Sequence, residues 1–376
     1  MLTDQEIKSL YDKEYKYFME NDSGTLGQWL SSKGTSFDCY IQFINETDSS
    51  IQRINDKIDF ARNIFYAFLK PFQSPYFYWT LLLLIMYKFN ARRPIIKLVL
   101  YHYTLRAIGD IIEQLGKLLP YYHAISRDGS CVSVCISAEH HPLKWFLTRQ
   151  INSFFWYIGE IIGDWYPLLR TKAVTKNKNN LKLLYITCII YNISKLAVPI
   201  SQLYVSPSKL YMDKRFNNEF VTKYYNFYWV LQAIIAFTTF IYEWVIYKTL
   251  KKELFNKTRK TEEYGLMKKF RLISEFRIII SAMIALLSFP FLFVVSTINI
   301  YFHNNGKEEI DCSVEEFRAV VTSVQYIFIF IDQILLISSK NNGNNLLDMD
   351  HYFRGDKTSG DNYNTGILNS QDVNYI

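Results

Sequence analysis

Apolar residues gather into long runs along this chain, separated by short charged connections. Crossing about 30 Å of hydrocarbon takes about 20 helical residues, and beyond residue 60 seven stretches approach or exceed that length. The first is the shortest, Pro71 to Phe89, and starts as early as Phe60 if one helix bends through Pro71 and Pro75. The others run from Pro94 to Tyr121, Pro142 to Leu169, Leu181 to Tyr204, Tyr224 to Tyr247, Ile273 to His303 and Phe317 to Ser339. Pro94, Pro120, Pro142 and Pro199 fall near span ends, where a missing backbone N–H costs little. A soluble helical bundle would need a charged face on every helix, and runs such as LLYITCIIYNISKLAVPI have none. The pattern therefore predicts an all-α polytopic membrane protein, a seven-transmembrane helix bundle over residues 61–340. A polar tail, 1–60, precedes it. A tail rich in Asn, Gly, Asp and Ser, 341–376, follows and is expected to be disordered.

Charge sets the expected orientation. With the N-terminus outside, the inner loops hold seventeen basic residues and the outer loops six, the asymmetry of a chain whose cytoplasmic loops are positive. The longest inner loop, Lys248 to Arg271, carries nine of the seventeen. It is a surface for anionic lipid headgroups or for a cytosolic protein. The tail 1–60 has eleven acidic and six basic side chains and no apolar core behind basic residues, so no cleavable leader is expected and the first span would export it. Asn21 and Asn45 begin glycosylation sequons that this topology exposes. The expected location is the plasma membrane or another membrane of the secretory pathway, with the C-terminus cytoplasmic.

Ionisable groups inside the apolar runs are the candidates for function. A charge at mid-bilayer costs at least about 2.5–3.5 kcal/mol and must be paired or wet. In the second span His102, Arg106, Asp110, Glu113 and Lys117 recur every three or four residues, a polar stripe in which Arg106 and Asp110 are spaced for an i, i+4 pair. The third span carries Glu160 and Asp164 on a similar stripe, the fourth Lys195, the fifth Glu243 and the seventh Asp332. Either these charges neutralise one another and hold the bundle in register, or they line a polar cavity. Pro290, inside the sixth span, predicts a kink. Cys131, Cys135 and Cys312 lie in outer loops, where one bridge among them is expected, the unpaired cysteine being within reach of Cys39 in the tail.

Composition changes the picture only by exclusion. Net charge is +7, with 49% apolar and 20% charged residues. The basic residues sit between apolar runs rather than on one patch, so no nucleic acid partner is expected. No phosphate-binding loop, His-Glu-x-x-His or Cys-x-x-Cys occurs, the histidines and cysteines match no standard zinc spacing, and paired haem histidines are missing. No metal, no cofactor and no enzymatic activity are expected.

Seven spans, an outside tail with sequons, Pro290 in the sixth span and the basic loop Lys248 to Arg271 together resemble the G-protein-coupled-receptor type of membrane protein. The resemblance is architectural and covers roughly residues 60–340. Where that family has Asp/Glu-Arg-Tyr this chain reads Asp164-Trp165-Tyr166-Pro167, and Asp332-Gln333-Ile334-Leu335 stands where Asn-Pro-x-x-Tyr is usual. The resemblance implies a receptor or sensor that answers an outside ligand and engages a G protein or other cytosolic partner at Lys248 to Arg271. The competing readings are a transporter or channel whose intramembrane carboxylates pass protons or cations, and a non-catalytic membrane scaffold.

Overall fold

The computed structural model describes residues 2–20, 24–47, 49–91, 93–126, 128–134, 140–175, 178–251 and 320–334, together with much of 283–302, chiefly 286–295. The chain is mostly helical. Helices α1 (Asp4–Glu14), α2 (Leu26–Ser31) and α3 (Phe37–Glu46) come first. Then follow α4 (Ser49–Gln73), α5 (Pro75–Met86) and α6 (Pro94–Leu115). A short helix α7 (Pro142–Trp145) runs through a π-helical segment, Phe146–Ile151, into α8 (Asn152–Val174). Next come α9 (Lys178–Tyr204) and α10 (Asn218–Leu250), and the last described helices are α11 (Leu286–Val295) and α12 (Val320–Ile334).

Among the described residues, α9 and α10 are the two helices long and apolar enough to cross a membrane on length and composition. A set of seven is not reached, for two reasons. Helix α5 is apolar but short, and α6 and α8 carry charges along much of their length; of the sixth and seventh expected spans only parts, α11 and α12, lie among the described residues. The first expected span is not one bent helix. Pro71 lies inside α4, and the chain breaks at Ser74 so that Pro75 opens α5, where proline's fixed φ suits a first helical turn. Pro94 and Pro142 open their helices in the same way. Pro199 lies inside α9 rather than at its end, and Pro290 lies inside α11.

The polar segment 1–60 holds α1, α2, α3 and the start of α4. Thr3 with Glu6 and Thr25 with Gln28 form reciprocal capping boxes at α1 and α2, Ser36 caps α3, and α4 starts well before residue 60. The all-α class holds, with one small four-stranded sheet added to the helices. Strands β1 (Tyr122–Ile125), β2 (Cys131–Val134), β3 (Tyr211–Met212) and β4 (Arg215–Phe216) pair in the order β2-β1-β4-β3. Asp213 and Lys214, both with positive φ, make the two-residue turn between β3 and β4.

The N-terminal helices and this sheet form a cap on one end of the bundle. Gly34 bridges to Phe18 on one side and to His123 of β1 on the other. A Cβ at Gly34 would lie 2.1 Å from the carbonyl oxygen of His123, so only glycine allows these backbones to approach. Trp29 of α2 stacks on Tyr211, and both are buried with Tyr122, Trp145, Leu210 and Val221. Lys214 pairs with Glu20 at 2.9 Å. Cys39 of α3 is disulfide-bonded to Cys131 of β2. The bridge of Cys131 thus goes to the N-terminal segment, not to another outer loop. Cys135 and Cys312 lie outside the described residues, as do Asn21, the basic segment 252–271 and the tail 341–376.

Candidate functional site

Helices α6, α8, α9 and α12 carry a cluster of buried charges at the middle of the bundle. On α8, Glu160 and Asp164 are one turn apart and share a face. Lys195, midway along α9, reaches both: its Nζ lies 2.7 Å from Asp164 Oδ2 and 3.2 Å from Glu160 Oε2. The other oxygen of Glu160 accepts from Arg106 Nη1 of α6 at 2.6 Å. Two cations thus face two carboxylates, and the cluster is balanced. Lys195, Glu160 and Asp164 are only 3–7% exposed, a burial that charges tolerate only when paired and hydrogen-bonded.

Tyrosines complete the coordination. Tyr326 of α12 donates to Asp164 Oδ1 at 3.0 Å and also lies 3.1 Å from both Lys195 Nζ and the Glu160 carbonyl oxygen. Tyr191, one turn before Lys195, donates to Asp164 Oδ1 at 3.4 Å, and Tyr242 of α10 donates to the Asp164 carbonyl at 3.0 Å. Tyr326 gets this close because Gly163 stands opposite it: a Cβ there would lie 2.6 Å from its ring. His102 Nδ1 lies 2.8 Å from the Gly159 carbonyl and donates to it, and its buried Nε2 has no hydrogen-bond partner among the described residues.

A cavity of about 50 Å³ adjoins the cluster, lined by Glu160, Lys195, Tyr157, Tyr191, Gln232, Thr239, Ser288 and Gln325. A water needs about 10–15 Å³ of such space, so there is room for a few. Gln232 donates to Tyr157 at 2.8 Å across one wall.

A second cluster lies near the end of the bundle opposite the cap. Asp332 of α12 accepts from Arg170 Nε at 3.0 Å and from the Tyr166 hydroxyl. Gln333 donates to Tyr166 at 2.8 Å and accepts from Tyr87, just past α5, at 2.9 Å.

The expected residues divide accordingly. Arg106, Glu160, Asp164 and Lys195 come together, and Asp332 joins the second cluster. The expected Arg106–Asp110 pair is replaced: Arg106 reaches across to Glu160, and Asp110 accepts from Trp156 Nε1 at 3.0 Å. An interhelical partner at 2.6 Å brings a buried guanidinium a full carboxylate without bending its own helix. Glu113, further along α6, and Glu243 on α10 are each only half-buried. Asn45 is exposed at the end of α3, its Oδ1 accepting from Leu2 N at 2.8 Å. The tyrosines Tyr191, Tyr242 and Tyr326 carry no sequence signal among 29 tyrosines, although Tyr191 stands four residues before Lys195.

No protein-family model, curated protein or solved structure matches the chain.

The surface is the inverse of this interior. Ile193, Ile200 and Leu203 of α9 are 60–63% exposed, on the same helix that buries Lys195. Buried threonines return their hydroxyls to their own helix, as Thr187 does to Leu183 and Thr239 to Ile235.

Proposed function

We propose that the chain is a seven-span integral membrane receptor or sensor with its N-terminus outside. Helices α4–α5, α6, α7–α8, α9, α10, the segment around α11, and α12 are its spans. Charges inside and isoleucine, leucine and phenylalanine outside support a lipid environment, since large exposed apolar surfaces are foreign to a soluble monomer. The Cys39–Cys131 bridge supports placing the cap on the non-cytoplasmic side, where disulfides persist. The observation that carries the sensor reading is the attachment of a folded cap to the bundle. The cap holds the outer ends of α8, α9 and α10 through Trp145, Val205 and Val221, and those helices hold the buried cluster. A ligand on the cap would thereby bias how the helices pack.

The test is association with G-protein α subunits. The full chain in nanodiscs should capture α subunits from the source organism's cytosolic extract without nucleotide and release them on addition of a non-hydrolysable GTP analogue. Absence of capture in both conditions removes G-protein transduction. The cavity beside Glu160 and Lys195 favours one alternative, proton passage. Proteoliposomes would then show a proton flux that falls in Glu160→Gln, and no flux above empty vesicles removes it.

A further inference from the structure

Helix α4 carries a heptad repeat. Ile51, Ile58, Phe65 and Phe72 are seven residues apart, and Ile54, Ala61 and Phe68 occupy the intervening positions three residues after the first three. These are the a and d positions of a coiled-coil seam; from Ile51 to Asp59 only polar residues flank it, and further along Phe60, Ile64 and Tyr66 widen the exposed apolar surface. The opposite face of α4 is the one that packs on α6, through Ala67 and Asn63. The seam points away from the bundle, and its isoleucines and phenylalanines are 41–70% exposed.

Lipid cannot cover all of it. Asn63 is hydrogen-bonded to Gln114 at 3.2 Å and to the Lys117 carbonyl at 3.4 Å, which places it level with the outer end of α6. Ile51 lies twelve residues earlier, about 18 Å further out at 1.5 Å per residue. Ile51, Ile54 and Ile58 therefore project beyond α6 at the level of the cap, between Arg53, Asp56, Lys57 and Asp59.

We propose that α4 is the self-association surface of this protein, pairing with α4 of a second copy as a parallel two-stranded coiled coil. The seam is self-complementary, as a twofold interface requires, and two copies held in one orientation by a membrane can only pair in parallel. Its exposed side chains amount to roughly 600 Å² per copy at about 200 Å² per residue, close to the about 800 Å² per partner of a stable interface. In a parallel pair Lys57 faces Arg62 of the second copy, and the repulsion is eased because Asp59 holds Arg62 at 2.7 Å. This inference rests on the membrane placement proposed above and not on what the bundle senses.

Cysteine cross-linking in native membranes tests it, with the full chain in a Cys135→Ser/Cys312→Ser background. Ile58→Cys on the seam should give a disulfide-linked dimer at least fivefold more than Asp56→Cys off it. Both variants must keep the melting temperature of the background, which separates misfolding from loss of contact. Equal cross-linking at the two positions, or none, overturns the proposal. Subunit counting by photobleaching in nanodiscs should give two steps for the wild-type chain and one for Ile54→Lys/Ile58→Lys. A single step, or three, for the wild-type chain refutes it as well.

Discussion

Removing the Lys195 ammonium tests whether the central cluster stabilises the bundle as a closed ionic unit. At an effective dielectric of about 20, its attractions at 2.7 and 3.2 Å amount to about 6 and 5 kcal/mol. Desolvation of the ions offsets most of that, so intact pairing is close to neutral against an apolar replacement. The asymmetry lies in removing one partner. Lys195→Met leaves Asp164 and Glu160 buried, one turn apart, with Arg106 bonded to only one of them. Stranding a buried charge in this way costs about 3–5 kcal/mol. The double variant Lys195→Met/Asp164→Asn removes the stranded charge and should recover more than half of that loss. Intrinsic tryptophan fluorescence in detergent, scanned with temperature, reads both. The single variant should melt roughly 10 °C below wild type, and the double should lie nearer to wild type than to the single. Additive losses, or a single-variant shift below about 2 °C, would show that these groups do not act as a pair.

The remaining expectations concern the cap and the second cluster. Burial, with a smaller contribution from the charge of Lys33, holds His123 down to about 4, and burial with Lys144 does the same for His141. Both folded values lie below the ordinary 6.5, so the unfolded chain takes up the protons first. The stability from keeping them neutral is complete above pH 6.5 and is lost as pH falls toward 4, at most about 3 kcal/mol for each ring; amide protection factors over residues 33–47, corrected for the intrinsic pH dependence of exchange, should fall across that window and stay constant between pH 7 and 8. Gly34→Ala should loosen the cap by about 1–3 kcal/mol, since its Cβ meets the His123 carbonyl, and limited proteolysis of residues 1–48 measures it. Replacing Cys39 and Cys131 by serine opens a link across 92 residues, worth about 4–5 kcal/mol in chain entropy, and should expose the cap to protease while leaving the helical content unchanged. Tyr166→Phe should cost about 1.5–3 kcal/mol through the lost bond to the ionised Asp332, read in the same thermal scan.

The sequence made the charged members of the site visible because a charge within an apolar run has to be explained wherever the run folds. Arg106, Glu160, Asp164 and Lys195 stood out for that reason. Which charge meets which was not legible. Spacing along one helix pointed Arg106 to Asp110, but a cross-helix carboxylate won, and that depends on how α6 and α8 rotate against each other. Glycines set that rotation: Gly159 lets Arg106 and the His102 carbonyl come close, and Gly163 admits Tyr326. Tyrosines were hidden by abundance. The cap was hidden because its segments are short: α3 carries an apolar face of its own, with Phe37 and Cys39 buried, but α1 to α3 are assembled by the disulfide, the Gly34 contact and a Trp29–Tyr122–Trp145 core built with segments far along the chain.

The two clusters share α8 and α12, and this constrains how the bundle can move. Glu160, Asp164, Tyr166 and Arg170 all lie on α8, and Tyr326, Asp332 and Gln333 all lie on α12. A hinge opening at one end of that interface would keep the other cluster intact, whereas a sliding or rotation of α12 along α8 breaks both together. The central contact also places the Tyr326 ring on Gly163, where any side chain would push it off Asp164. Gly163→Ala should therefore act as a wedge that releases α12 in the middle while Asp332 still holds its far end. If the clusters work as two latches, Gly163→Ala and Tyr166→Phe should each lower the melting temperature and together lower it by more than their sum, because the second latch bears the whole interface once the first is open. Simple additivity in that pair would mean that the two clusters hold α12 independently, and would remove a concerted displacement of this helix from the proposed sensor reading.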